Sequence, residues 1–134
     1  MDVSGFYVDG ILNVTPREAY KLSCQSRAII IDVREPEMLE YKQFSVPEIK
    51  YVRLKEIINN TLVLPRERLL IFADATGLRS KQAVAHLKSQ GYENIANLAG
   101  GMLEWDRDGL PMVVNDKERV TEKTMFDIKK KKSE

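Results

Sequence analysis

Arg68-Leu69-Leu70-Ile71-Phe72-Ala73-Asp74-Ala75-Thr76-Gly77-Leu78-Arg79-Ser80 is the stretch that decides the fold. A short, continuously apolar run such as 69–73 reads as a strand buried on both faces of a parallel sheet. The run stops at Asp74, and residues 74–79 form a turn into a helix expected from about Ser80 to Gln90. Ala83, Val84 and Leu87 give that helix one apolar face, and Gly91 supplies its C-cap.

The same alternation extends in both directions. Upstream, Thr15-Pro16-Arg17-Glu18 is a helix start, with Thr as N-cap, Pro at the first helical position and Glu three residues after the cap. That helix is expected to run to about Ser26, ahead of a second buried strand at Ala28-Ile29-Ile30-Ile31-Asp32. Glu35-Pro36-Glu37-Met38-Leu39 opens a short helix, and Tyr51-Val52-Arg53-Leu54 reads as a strand. Downstream, Asn94 to Leu98 is a last short strand, and Gly100-Gly101 leads into the helix Met102-Leu103-Glu104-Trp105. Strands separated by helices of about ten residues predict an α/β domain with a mainly parallel sheet.

Composition sets the outer limits. The chain has 134 residues, 43% of them hydrophobic, which suits one domain with a genuine core. Lys and Arg total 21 against 20 Asp and Glu, so net charge gives no reason to expect nucleic acid or an anionic membrane as partner. One cysteine, Cys24, excludes an intramolecular disulfide framework and any CxxC site. One histidine, His86, excludes His-rich metal centres, and neither metal nor cofactor is expected. No apolar run approaches the ~20 residues that span a bilayer, and nothing near Met1 has the order of a signal peptide, so the expected address is the cytoplasm. The domain is expected over 1–114, followed by a charged tail at 115–134 that ends in Lys129 to Lys132. That tail reads either as solvated chain or as one helix docked on the body.

In open α/β sheets, ligands bind beyond the carboxyl ends of the strands, where a loop meets a helix N-terminus. Residues 74–79 occupy that place. Such a turn can aim several backbone N–H groups inward and, with the helix dipole, form an anion cradle. Gly77 would permit positive φ, and Arg79 would add a cationic fork. An ordinary strand-to-helix connection is the competing reading.

From about Val14 to Val113 the order of segments resembles a single rhodanese-like domain. The resemblance is carried by Val14-Thr15-Pro16-Arg17-Glu18-Ala19, Ile31-Asp32-Val33-Arg34-Glu35-Pro36-Glu37, and Gly91-Tyr92-Glu93-Asn94-Ile95. Asn97-Leu98-Ala99-Gly100-Gly101-Met102-Leu103-Glu104-Trp105 and Gly109-Leu110-Pro111 complete it. It implies a five-stranded, mainly parallel sheet with helices on both faces and an active-site loop at 74–79. In active members of that family the first loop residue is a cysteine, whose thiolate accepts a sulfane sulfur and becomes a persulfide. Matching Gly77-Leu78-Arg79-Ser80 to the family pattern puts Asp74 at the cysteine's position.

A carboxylate forms no persulfide, so no catalytic residue is expected at Asp74. Its own oxygens would instead fill the cradle. Ala75, where active members often carry a basic residue, removes steering charge as well. Cys24 as a surrogate thiol, and Asp74 as a phosphoryl-transfer nucleophile, are weaker rescues: Cys24 lies far from the loop, and the loop lacks an Asp-x-Asp pattern. The leading expectation is a module that binds an unidentified protein or a small anion through Asp74, Ala75, Thr76, Gly77, Leu78 and Arg79. The alternative is a sulfurtransferase-type enzyme with altered or residual activity toward thiosulfate or a similar donor.

Overall fold

The computed structural model describes residues 3–59 and 63–115. The tail from 116 onward, including Lys129 to Lys132, lies outside the described residues.

Six strands form one sheet. They are β1 (Phe6–Val8), β2 (Ile11–Val14), β3 (Ala28–Asp32), β5 (Ile49–Tyr51), β6 (Leu69–Ala73) and β7 (Ile95–Leu98). Their spatial order is β1-β2-β7-β6-β3-β5. All neighbours are parallel except β1 with β2, a hairpin closed through Asp9 and Gly10 with both φ values positive. The remaining strands, β4 (Lys42–Phe44) and β8 (Met112–Val114), pair antiparallel in a small second sheet. Among the described residues, four α-helices connect the strands: α1 (Pro16–Cys24), α2 (Leu54–Ile58), α3 (Leu78–Ser89) and α4 (Gly101–Arg107).

The buried strands carry a core on each face, because successive side chains point to opposite sides. Ile29 and Ile31 of β3, with Leu70 and Phe72 of β6, pack against Ile57 of α2 and Ala83, Val84 and Leu87 of α3. Ala28 and Ile30, with Leu69, Ile71 and Ala73, pack on the other face against Ala19 and Leu22 of α1 and Met102 and Trp105 of α4. Trp105 is fully buried between the rings of Tyr20 and Phe44, and its indole N–H donates to the Pro111 carbonyl at 2.8 Å. That satisfies the one polar atom of the largest core side chain.

The expected architecture is present, with several corrections. Thr15 does cap α1, accepting from the Glu18 N–H at 3.2 Å, but the helix ends at Cys24 because Ser26 turns to a φ of +58°. The short helix expected after Glu35 is present as a 3-10 helix at Pro36–Leu39. The strand expected at 51–54 lies at Ile49–Tyr51, and Leu54 opens α2 instead. Here Val52 N–H donates to Asp32 O and Leu54 N–H to Val33 O, so the chain leaves the sheet as it passes the end of β3. The hairpin strand β1 and the β4–β8 pair add to the five parallel strands. Among the described residues, no helix is long and apolar enough to cross a membrane.

Candidate functional site

Loop 74–77 starts where β6 leaves the sheet, at its carboxyl end. Ala73 is the partner of Asp32 in the parallel register, so β3 and β6 release their chains at one level. Gly77, at a φ of +95°, is the residue that turns the chain into α3. A Cβ there would also sit 3.2 Å from the Gly100 backbone nitrogen. Leu78 and Arg79, expected as loop residues, are the first two residues of α3: the left-handed Gly77 starts the helix two residues earlier than the apolar pattern indicates.

Asp74 is 3% exposed, and its carboxylate points back into its own loop. One oxygen, Oδ1, accepts the Gly77 N–H, and the other, Oδ2, accepts the Arg79 N–H at 2.8 Å. These are N–H groups of the α3 N-terminus that no helix carbonyl can reach. The carboxylate thus caps α3 from three residues ahead of its N-cap, and its charge faces the positive end of the helix dipole. The Asp74 backbone carbonyl accepts from Met102 N–H at 2.8 Å, and the Ala75 carbonyl accepts from Leu103 N–H at 3.0 Å. Gly101 makes this approach possible: a Cβ there would lie 2.7 Å from the Ala75 carbonyl carbon and 2.8 Å from the Thr76 nitrogen.

Behind the carboxylate runs a buried polar chain. Ser80 Oγ lies 3.2 Å from Asp74 Oδ1 and donates to Asn97 Oδ1 at 2.5 Å. Asn97 Nδ2 donates to Asn13 Oδ1 at 2.9 Å, and Asn13 Nδ2 donates to the Ile11 carbonyl at 3.1 Å. The chain crosses from α3 through β7 to β2. Ser80, Asn97 and Asn13 were not among the expected site residues. Asn97 and Asn13 are the polar members of buried strands, and that was the available signal.

Other expected residues divide clearly. The Arg79 side chain is exposed and makes no hydrogen bond or ion pair among the described residues, while its backbone N–H is the one that binds Asp74. Thr76 is exposed and Ala75 half-buried at the mouth. Leu78 is 70% exposed and Leu103 is 53% exposed, which places two apolar side chains on the rim. Cys24 is an exposed thiol at the end of α1, beside the Tyr20 hydroxyl, whose pKa that contact raises. Asp32 is fully buried and bound by Arg34, away from Asp74's donors. Among the described residues, no three His, Cys, Asp or Glu side chains converge in a way that would hold a metal ion.

Comparison with known proteins identifies the fold and the family. The profile of the Rhodanese-like domain matches residues 15–108, more than half of the chain. A sulfurtransferase from Allochromatium vinosum is 32% identical over 93 residues, which are 69% of this chain and 85% of that protein. The crystal structure of a rhodanese-related protein from Thermoplasma volcanium superposes with a TM-score of 0.65 at 28% identity, covering 75% of this chain and 96% of that one. The polysulfide-sulfur transferase homodimer from Wolinella succinogenes gives a TM-score of 0.65 at 30% identity, over 77% of this chain and 78% of that one. With a family profile spanning both faces of the sheet and the loop between them, this chain belongs to the rhodanese-like family.

Proposed function

We propose that this rhodanese-like domain does not transfer sulfur through its loop and acts instead as a binding or regulatory module for a protein or a small anion. One observation carries the reading: the Asp74 carboxylate, at the position matched to the family's nucleophile, already occupies the Gly77 and Arg79 N–H donors. A carboxylate has no sulfur to load, and its charge opposes an anionic donor such as thiosulfate. The exposed Leu78 and Leu103 beside the mouth favour a protein partner that covers them. The cytoplasm suits a chain whose single thiol stays free.

The test is turnover of thiosulfate with cyanide by the purified full-length chain, alongside its Asp74→Cys variant. The native chain is expected to show none. The variant is expected to gain one sulfur atom in its intact mass on incubation with thiosulfate, because the backbone donors remain. Turnover by the native chain that disappears on Cys24→Ser would instead establish the sulfurtransferase alternative, which the names of the relatives favour. Calorimetric titration with sulfate separates the two ligand classes. If the cradle is filled by its own carboxylate, Asp74→Ala gains sulfate affinity over the native chain.

A further inference from the structure

The polar chain behind the loop has a direction, and proton counting fixes it. The Ile11 carbonyl can only accept, so Asn13 must turn its NH2 toward it and its oxygen toward Asn97. Asn97 must then turn its NH2 toward Asn13 and its own oxygen toward Ser80. That oxygen needs a donor, and the Ser80 hydroxyl has one proton to give. The distances agree: Ser80 Oγ is 2.5 Å from Asn97 Oδ1 and 3.2 Å from Asp74 Oδ1. Asn13, Ser80 and Asn97 are all nearly or fully buried, so no bulk water relaxes the constraint.

We infer that Asn97, held in orientation by Asn13, is a positioning residue that turns the Ser80 proton away from position 74 and leaves a hydroxyl lone pair facing it. The group at position 74 therefore has two backbone N–H donors in front and an acceptor behind. This rests on the reading of the loop as a donor cradle, and it adds a second determinant, set from strands rather than from the loop. Hydrogen bonds to the charged form of an acid favour that form, and bonds to its neutral form oppose it. Ser80 as an acceptor supports the protonated form of whatever acid stands there. Ser80 as a donor would support the ionised form.

A thiol at position 74 reports on this directly through the pH dependence of its alkylation. In the full-length Asp74→Cys background, adding Asn97→Leu frees the Ser80 proton for the thiolate. The alkylation midpoint is then expected to fall, by about one pH unit. Adding Ser80→Ala instead removes an acceptor, so the midpoint is expected not to rise. Asn13→Leu reaches the same end with Asn97 in place, by releasing its amide to flip, and serves if Asn97→Leu does not fold. A midpoint that rises with Ser80→Ala and ignores both asparagine changes would show that Ser80 already donates to position 74, and the inference would be wrong. Failure of the cradle reading looks different: the Asp74→Cys thiol then titrates as an unperturbed one, near 8.5, and takes up no sulfur from thiosulfate. Loss of stability alone does not move the midpoint, so a merely structural role for Asn97 is separated from a positioning one.

Discussion

Asp32 and Asp74 leave the sheet from neighbouring strands, both nearly or fully buried, and are satisfied in opposite ways. Asp32 ends β3 and faces a cation: Arg34 Nε and Nη2 reach its two oxygens at 3.0 and 2.8 Å. The guanidinium then donates to the Met38 and Lys42 carbonyls, at 3.3 and 2.9 Å, and lies over the Phe44 ring. Among the described residues Asp74 has no cationic partner, and it is held by backbone N–H groups. The first arrangement depends on two particular side chains, and losing either leaves a buried charge. The second depends on the path of the main chain, which supplies both donors from Gly77 and Arg79. One pocket is therefore a lock between side chains, and the other is a socket lined by main-chain donors.

Removing one side of the lock is the harshest test. Arg34→Met leaves the Asp32 carboxylate uncompensated and two carbonyls unpaired, at a cost of about 3–5 kcal/mol, read from urea unfolding. Next comes Gly101→Ala, which breaks the socket from outside. Its Cβ would press on the Ala75 and Thr76 backbone, and its φ of +58° is unfavourable for alanine. The expected loss is toward the top of the ~1–3 kcal/mol typical of strained backbone, with the Gly77 and Arg79 amide resonances displaced.

Asp74→Asn is milder, because the amide oxygen still accepts one N–H while its NH2 confronts the other donor. A loss of about 1–2 kcal/mol is expected, well short of the Arg34→Met effect. Equal losses would erase the distinction between lock and socket.

The smallest effect belongs to a solvent-facing pair, Glu48 with Arg68, at 2.7 and 2.6 Å. The Arg68 guanidinium holds the Glu48 carboxyl below its usual pKa. A group depressed on folding stabilises above its unfolded value, and that contribution is lost as pH falls through the folded value. Melting temperatures of the native chain and Glu48→Gln should therefore differ slightly at neutral pH and converge in acid, below the lowered Glu48 pKa. A difference that widens in acid would contradict this.

How far the molecule could be read in advance follows the same division between local and distant causes. β3 and β6 were legible because each is an unbroken apolar run, and α1 because its cap, proline and glutamate lie within four residues. The β1–β2 hairpin went unread although Asp9-Gly10 between apolar pairs is its usual signal. α2 is not legible because five residues carry too little periodicity, and the Tyr51-Val52-Arg53-Leu54 run before it has the composition of a strand. The loop's place and Gly77's role followed from local chemistry. The Ser80–Asn97–Asn13 chain did not, because Asn97 and Asn13 are 84 positions apart and only the β2–β7 pairing brings them together.

The loop carbonyls that meet the first turn of α4 have a mechanical consequence. Residues 74 and 75 hold Met102 and Leu103 through their oxygens, while Gly77 and Arg79 are held through their nitrogens by the Asp74 side chain. The starts of two helices on opposite faces of the sheet are thus tied to a single short segment. Leu78 and Leu103, both exposed, stand in the first turns of those helices, so the two helix starts share one short support at the sheet's carboxyl end.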